Sequence, residues 1–288
     1  MIVGAGSAMV ASIASGCARP AVAEDTPALV LNGQWRQGGF AMGRTEGRAA
    51  VSIDGVIVSE ASETGLFVIG FDRDAPPSVD LSVDWVVGAG AGTVATNGAR
   101  RTLDIAAGLF PSSRIDGLPA DTVEPSDPAL PARIRREAAL KAEAFASRAD
   151  SEDFRDGFVW PLDDYRVSSL WGAQRVLNGT PARPHYGIDL AAPSGSLIRA
   201  PAAGLVVLAE PDMHFEGGLV LIDHGQGLIT AYLHQSQIDV AAGDTVARGQ
   251  VIGRVGMTGR ATGPHLCWRM KWRDRNLDPS LMVDATAP

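Results

Sequence analysis

Short β-prone runs separated by glycine fill the C-terminal half of this chain and constrain its fold more than any other feature. From about Phe158 to Val283, Gly-rich turns separate almost all of these runs. No helical period longer than a few residues interrupts them, and many short strands with frequent turns are typical of strongly curved or barrel-like sheets. The 33 glycines of the 288-residue chain allow such frequent turns. We therefore predict an almost all-β, barrel-like C-terminal domain over residues 153–285.

The N-terminal half also has the pattern of a β-domain. Between Ala28 and Ala107, short alternating or apolar runs are broken by Gly, Asp and Pro, which is typical of a small β-sandwich. Trp35 and Trp85 are expected to pack within it rather than to bind a ligand. Nothing in this region has catalytic spacing, so residues 24–110 are predicted to be a spacer or docking module.

A linker separates the two predicted domains. Five prolines lie among polar residues from Pro111 to Pro131, the composition of an extended linker. Residues 132–148 then lack Gly and Pro and are rich in Ala, Arg and Glu, which predicts one helix. Its charged face, which includes Lys141, is interpreted as solvated. The predicted fold class is mainly β, with linker and helix over residues 111–152.

Charge and hydropathy exclude some classes of partner. The net charge is −8 and no block of Lys and Arg stands out, which argues against binding to nucleic acid or anionic lipid. Beyond the N-terminal segment, no stretch reaches the ~18 apolar residues of a membrane-spanning helix. The mature chain is therefore predicted to lack a transmembrane span.

Residues 1–23 resemble a removable export signal. A small, apolar and uncharged stretch leads to residues 21–23, which have the A-x-A form of a signal-peptidase site. We therefore predict an exported, periplasmic protein, with an association with the outer membrane left open. Cys17 lies in a weaker alternative, a lipoprotein cleavage site.

Four residues in two short groups carry metal-ligand chemistry. His185 and Asp189 have the spacing H-x-x-x-D, and His265 and Cys267 have the spacing H-x-C. Even spacings put both members of a pair on one side of an extended strand, so each pair could face one ion. Imidazole, carboxylate and sulfur are zinc ligands, and three of them leave one position for water.

The cysteine can be interpreted in two ways. Only Cys17 and Cys267 occur, and Cys17 lies in the predicted signal, so the mature protein would carry one thiol and no internal disulfide. Coordination to a metal explains an unpaired cysteine in an oxidising compartment. A small, buried apolar side chain explains it equally well on spacing alone.

The other histidines differ in their setting. His234 ends an alternating strand, where a side chain can project into a cleft, and it is a fifth candidate for the site. His214 and His224 lie beside Gly-rich turns and are interpreted as loop or hairpin residues.

Six motifs follow one another between Phe158 and Val283. In chain order they are H-x-G-x-D-L-A-A-P-x-G (185–195), A-x-x-x-G-x-V (200–206), I-D-H-G-x-G (222–227), Y-L-H (232–234), G-D-x-V-x-x-G-Q-x-I-G (243–253) and T-G-x-x-T-G-P-H-L (258–266). In order and spacing they resemble the lysostaphin/LytM-type zinc endopeptidases, metallopeptidase family 23. The resemblance implies a LytM-type antiparallel, barrel-like catalytic domain.

The resemblance also implies roles for five residues. His185 and Asp189 correspond to zinc ligands. The first histidine of the family's H-x-H falls on His265, a non-ligand that works with His234 to position or deprotonate the attacking water. The second falls on Cys267, the third ligand and the one departure at a functional position. The implied cofactor is one Zn²⁺.

The implied function is zinc-dependent hydrolysis of peptide bonds in peptidoglycan stem peptides or cross-links. Peptidoglycan is thus the expected partner, with other cell-wall proteins left open. Arg175 and Asn178, just before the first motif, are candidates for lining the groove, whereas Trp268 and Trp272 are better interpreted as barrel core.

Cys267 bears on the expected rate. A thiolate and a carboxylate cancel the formal charge of Zn²⁺, and a more neutral metal should lower the pKa of water less than the roughly nine units that cationic sites achieve. We therefore expect slow hydrolysis with an alkaline-shifted pH optimum. On the same argument, Cys267→His should raise the rate.

Two alternatives belong to other classes. A degenerate LytM-like domain without metal would bind peptidoglycan or activate a partner hydrolase, but the retention of His185, Asp189, His234 and His265 argues against it. Residues 243–253 also resemble a lipoyl- or biotin-carrier module. A carrier needs an exposed lysine at a hairpin tip, whereas Lys271 lies downstream of the histidines.

Overall fold

The computed structural model describes Met1 and residues 29–90, 93–117 and 130–288. Cys17, the rest of the predicted export signal and most of the proline-rich linker lie outside the described residues. Within them the chain is mainly β, with one α-helix, which confirms the predicted fold class.

Eight strands precede the helix. They are β1 (Val30–Gln34), β2 (Phe40–Arg44), β3 (Ala50–Ile53), β4 (Val56–Glu60), β5 (Leu66–Gly70), β6 (Ser78–Gly90), β7 (Thr93–Asp104) and β8 (Ser112–Ile115). The first seven form two antiparallel sheets in the orders β1-β2-β5 and β4-β3-β6-β7. Apolar side chains of both sheets, including Phe67 and Trp85, are buried in one hydrophobic cluster. The alternating runs of the sequence therefore form an N-terminal β-domain.

The helix α1 (Leu130–Phe145) begins two residues earlier than the composition predicts. Pro131 lies in its first turn, where a missing backbone N–H removes no intrahelical hydrogen bond. Its charged face is not simply solvated. Glu137 is buried and accepts from Arg133 Nε at 2.6 Å, and Lys141 pairs with the Glu216 carboxylate. The solvated interpretation holds for Arg135 and Arg136, which are exposed, and was wrong for Glu137 and Lys141, which form ion pairs where the helix packs on the sheet.

The C-terminal strands are β9 (Arg166–Ser169), β10 (Gln174–Leu177), β11 (Thr180–Pro181), β12 (Ile188–Ala191), β13 (Leu197–Arg199), β14 (Gly204–Met213), β15 (Gly217–Asp223), β16 (Leu228–Gln235), β17 (Gln237–Ile238), β18 (Thr245–Val246), β19 (Val251–Arg254), β20 (His265–Trp272) and β21 (Arg275–Leu277), followed by a 3₁₀ helix at Pro279–Met282. The largest sheet has the order β18-β14-β15-β16-β20-β12-β9, with β21 paired to β20. A smaller sheet has the order β13-β19-β17.

Alternate residues of strand β20 belong to different hydrophobic clusters on the two faces of the large sheet. Its even-numbered residues, including Trp268 and Trp272, are buried in the main hydrophobic cluster, as expected for barrel core. On the other face, Cys267 joins a smaller apolar cluster that includes Leu233 and, from α1, Ala144. The helix thus packs on the face of the sheet that carries Cys267.

Strand β8 belongs structurally to the C-terminal half. It pairs in parallel with β10, which pairs in turn with β11. The segment that leaves the N-terminal domain therefore crosses to the other half within the first residues of the proline-rich stretch.

The two halves are docked by specific hydrogen bonds. The side chain of Gln226 donates to Leu66 O at 2.9 Å and accepts from Val68 N at 3.3 Å. Asp72 accepts from the backbone of Asn276 at 2.8 Å. One hydrophobic cluster also runs through both halves, so the packing marks no boundary between two separate cores. The domain limits therefore stay a prediction. Among the residues described, no helix has the length and hydropathy needed to cross a bilayer.

Candidate metal centre

Strands β12 and β20 bring the three predicted ligands together. The strands are antiparallel neighbours, and Asp189 lies directly opposite Cys267, so both side chains project from one face. His185 lies just before β12, with Nε2 at 3.1 Å from Asp189 Oδ1 and 3.3 Å from Cys267 Sγ. The ligand atoms of all three lie within 4.8 Å of one another. Donors bound to one zinc ion at ~2.1 to 2.3 Å would be about 3.5 Å apart, so the arrangement fits a single ion.

The two oxygens of Asp189 have different surroundings. Arg175 Nη2 donates to Oδ2 at 3.0 Å. Oδ1 is buried, and none of the described residues forms a hydrogen bond with it. Burial by itself raises the pKa of Asp189, but the interactions of its carboxylate with His185 and with the Arg175 guanidinium outweigh burial and hold the pKa below the ordinary value. A buried, ionised oxygen without a donor is costly unless a cation binds it, so Oδ1 fits metal ligation.

His185 is held in a form suited to ligation. Its Nδ1 lies 3.1 Å from Ser169 Oγ, which can accept the Nδ1 proton and so leave the Nε2 lone pair directed at Asp189 and Cys267. Burial lowers the pKa of His185 to about 4, so the imidazole is neutral at pH 7. A neutral imidazole with a free, oriented Nε2 is the usual metal-binding state of histidine.

The Cys267 thiol is buried and free of any disulfide. Burial raises its pKa to about 12, although nearby Arg269 opposes this. Arg269 Nε donates to Sγ at 3.4 Å. Because metal coordination deprotonates a thiol outright, the high pKa does not exclude a thiolate ligand.

Gly187 makes the approach of β12 and β20 possible. A Cβ atom at this position would lie 2.9 Å from Cys267 Sγ and 2.8 Å from Arg269 Cγ. Both distances are too short for non-bonded heavy atoms. The glycine of the H-x-G-x-D motif is therefore needed for the space it leaves to the sulfur and to the neighbouring arginine.

His234 and His265 form a pair beside the three predicted ligands. Their ring centroids are 4.7 Å apart, and His265 Nε2 is 3.8 Å from Asp189 Oδ1. Each Nδ1 lies 2.8 Å from a backbone carbonyl, Thr258 O for His234 and Gly263 O for His265. A carbonyl can only accept, so each Nδ1 carries the proton and each Nε2 is left as an acceptor.

His234 is held in a strained backbone conformation. Its φ of 67° lies in the left-handed region, which non-glycine residues rarely occupy without a compensating constraint. Its backbone N–H donates to Glu216 O at 2.8 Å. Burial, followed by the nearby His265, lowers the pKa of His234 to about 3. The ring is therefore neutral at pH 7 and fixed in place at the end of β16.

Comparison with known proteins identifies the fold. Residues 183–279 match peptidase family M23. The crystal structure of a candidate M23 peptidase from Pseudomonas aeruginosa superimposes with a TM-score of 0.62 at 30% sequence identity, covering 87% of this chain and 96% of that chain. The chain belongs to peptidase family M23.

Curated relatives of this M23 chain include named endopeptidases. Peptidoglycan DD-endopeptidase ShyA of Vibrio cholerae is 40% identical over 118 residues, which cover 40% of this chain and 27% of the relative. DD-carboxypeptidase/endopeptidase Mpg of Neisseria meningitidis is 38% identical over 126 residues, covering 43% of this chain and 29% of the relative. The chain thus spans less than a third of the length of these two relatives.

A cavity of about 530 Å³ opens beside Asp189, one of the predicted ligands of the M23 chain. Its lining also includes His265, Arg166 of β9, and Arg114 and Asp116, in and just after β8. The segment after the N-terminal domain therefore forms a wall of the groove. Sequence reasoning left open whether the linker reaches the groove, because the pairing of β8 with β10 has no local signal.

Two other residues considered from the sequence, Arg175 and His224, have surroundings that differ from those predicted. Arg175, expected to line the groove, contacts Asp189 directly. His224 is fully buried, with Nε2 at 2.7 Å from Thr230 Oγ1, so it is a core residue next to a turn. Sequence reasoning missed Arg269, although its spacing of two from Cys267 on a strand was a usable signal.

Proposed function

We propose that this protein is a zinc-dependent endopeptidase that hydrolyses peptide bonds in peptidoglycan stem peptides or cross-links. The observation that carries the proposal is the group of three buried side chains, His185, Asp189 and Cys267, whose ligand atoms lie within 4.8 Å of one another. Membership of family M23 and the names of the DD-endopeptidase relatives support the reaction and the substrate class.

The donor set fits one Zn²⁺. His185 Nε2, Asp189 Oδ1 and Cys267 Sγ would hold the ion, leaving one position of a tetrahedron for water or substrate. When bound, zinc supplies Lewis-acid polarisation of the scissile carbonyl. Arg175 keeps the Asp189 carboxylate oriented through its second oxygen.

His234 and His265 supply the proton chemistry in this proposal. With each Nδ1 proton directed at a backbone carbonyl, the Nε2 atom of each ring is left to accept a proton. One accepts a proton from the attacking water, and the imidazolium that forms can then donate to the developing oxyanion. The strained, fixed backbone of His234 keeps its ring in one position without further reorganisation.

A cell-wall substrate requires a location outside the cytoplasm. Residues 1–23, with their A-x-A site, support export to the periplasm. The net charge of −8 fits a substrate other than nucleic acid.

Digestion of purified peptidoglycan sacculi tests the proposal. The full chain, loaded with one equivalent of Zn²⁺, should release soluble fragments and new amino groups. His234→Ala should reduce the rate by about 10²- to 10⁴-fold, because it removes a proton acceptor. Chelation should abolish release, and added Zn²⁺ should restore it.

The exposed arginine variant Arg135→Ala is the matched control and should digest like the wild type. Stoichiometric zinc without any release of amino groups would contradict the endopeptidase assignment. Protein that stays metal-free in excess Zn²⁺ would instead favour a binding or activating role.

A further inference from the structure

The sulfur of Cys267 is held between two nitrogen groups. His185 Nε2 lies 3.3 Å from Sγ on one side, and Arg269 Nε donates to it at 3.4 Å on the other. Cys267 and Arg269 are two residues apart on β20, so their side chains leave the same face of the strand. The contact is thus built into the strand rather than made by a mobile surface chain.

The residue just before β12 leaves room for this contact. Gly187 faces both side chains, and a Cβ there would fall within 3 Å of Cys267 Sγ and of Arg269 Cγ. The absence of a side chain at Gly187 therefore leaves space for both Arg269 and the Cys267 sulfur.

Each anionic ligand has its own guanidinium. Arg175 donates to Asp189, and Arg269 donates to Cys267. Charge-assisted hydrogen bonds of this kind orient a ligand and offset its charge. The sequence-based expectation of an electrically neutral zinc site counted the ligands alone. With both guanidinium groups included, the surroundings of the ion stay positive, and we expect a smaller alkaline shift of the pH optimum.

We propose that Arg269 is a positioning residue for the metal centre, and that Cys267 and Arg269 work as a unit in which the guanidinium orients the sulfur and offsets its charge. The inference rests on the proposed function only in taking Cys267 as a metal ligand. It predicts that Arg269 strengthens metal binding when residue 267 is a thiolate and has no such effect when residue 267 is a neutral imidazole.

Metal binding by the full-length protein tests the inference without reference to hydrolysis. Co²⁺ serves as the probe, because its complexes with thiolates have a charge-transfer absorption that reports the metal–sulfur bond. Arg269→Ala should weaken Co²⁺ and Zn²⁺ binding by about 10- to 100-fold and reduce or shift that absorption. Arg269→Lys, which keeps the charge, should recover part of the affinity, whereas the neutral Arg269→Gln should not.

A double-mutant cycle separates this role from a purely structural one. In the Cys267→His background, adding Arg269→Gln should leave metal affinity unchanged or raise it, because a neutral ligand has no charge for the guanidinium to offset. An equal loss of affinity in both backgrounds would overturn the inference, as would an unchanged cobalt–thiolate absorption in Arg269→Ala. Melting of the metal-free variants checks that each is folded, and Arg135→Ala is the surface control.

The outcomes for the two proposals are distinct. Metal binding that depends on Arg269, without release of peptides from sacculi, supports the positioning role and contradicts the endopeptidase. If the protein hydrolyses sacculi but its metal affinity does not depend on Arg269, the endopeptidase is supported and the positioning role is contradicted. Wild-type protein that binds neither Co²⁺ nor Zn²⁺ contradicts both.

Discussion

Two histidines of the candidate metal centre, His185 and His234, are buried as neutral rings, and this makes the metal-free protein sensitive to acid. Burial lowers the pKa of His185 to about 4 and that of His234 to about 3, whereas an unfolded histidine titrates near ~6.5. Between these values the unfolded chain binds more protons than the folded chain, so stability falls as the pH falls. Asp189 has a lowered pKa, and its contribution is lost mainly below the unfolded aspartate value of ~3.9, at the acid end of this window.

We expect the free energy of unfolding, measured in chelator, to decrease from pH 6.5 to pH 4 by about 1.4 kcal/mol per pH unit for each such histidine. Urea titrations at several pH values measure it. His234→Gln should reduce the slope because it removes one of these groups. A wild-type stability that is flat across this window would show that the rings are protonated in the folded state.

At this scale the grouping of the three predicted ligands could be anticipated from the sequence, and the residues that surround them could not. The spacing H-x-x-x-D and H-x-C places His185, Asp189 and Cys267 on strand faces, which suffices to suspect one site. The contacts of Arg269 and Gly187 depend on which residues lie opposite each other in β12 and β20. Register between strands some 80 positions apart in sequence leaves no local trace in the chain, so these contacts required the structure.

At the scale of the elements, the approach of β12 to β20 depends on a single missing side chain. Gly187→Ala would place a methyl group 2.9 Å from Cys267 Sγ and 2.8 Å from Arg269 Cγ. Overpacking of this kind typically costs about 1 to 3 kcal/mol, and here the sulfur or the guanidinium has to move. We therefore expect weaker metal binding together with a lower melting temperature.

Calorimetric titration with Zn²⁺ and thermal melting of the metal-free protein measure the two effects. Gly263→Ala is the matched control for stability, because a methyl group there meets open space. If Gly187→Ala melted and bound zinc like the wild type, the strands would have room to spare and the packing argument would fail.

Helix α1 illustrates how an element can be predicted while its role is not. Composition indicates a helix after the linker, and its charged residues suggest a solvated face. In the fold, Lys141 of this helix pairs with Glu216, whose backbone carbonyl accepts from the N–H of His234. A charge pattern along one helix does not reveal an oppositely charged partner some 75 positions away, so the link to the site could not be anticipated.

At the scale of the whole molecule, the two halves are joined more closely than a spacer and a catalytic domain would require. Composition and strand patterns predicted two β-rich parts, and both are present. The joint between them depends on backbone groups of β5, on Gln226 and on a hydrophobic cluster shared by both halves. Backbone donors and acceptors look alike in any sequence, so this docking had no sequence signal.

Gln226 joins the two halves through its side-chain amide. Gln226 has a φ of 54°, a left-handed conformation that asparagine tolerates better than most residues. Gln226→Asn therefore eases the backbone but is one methylene too short to reach Leu66 O and Val68 N together. Leaving these buried groups unpaired should cost about 1 to 3 kcal/mol in total, despite the more favourable backbone residue.

Thermal unfolding followed by tryptophan fluorescence tests this joint. Because one cluster of buried side chains runs through both halves, we expect the wild type to unfold in a single transition. Gln226→Asn should lower its midpoint or split it in two, whereas Gln237→Asn, at an exposed position, should change little. Two transitions in the wild type would mean that the halves are stable independently. The N-terminal domain would then be tethered to the peptidase rather than part of its core.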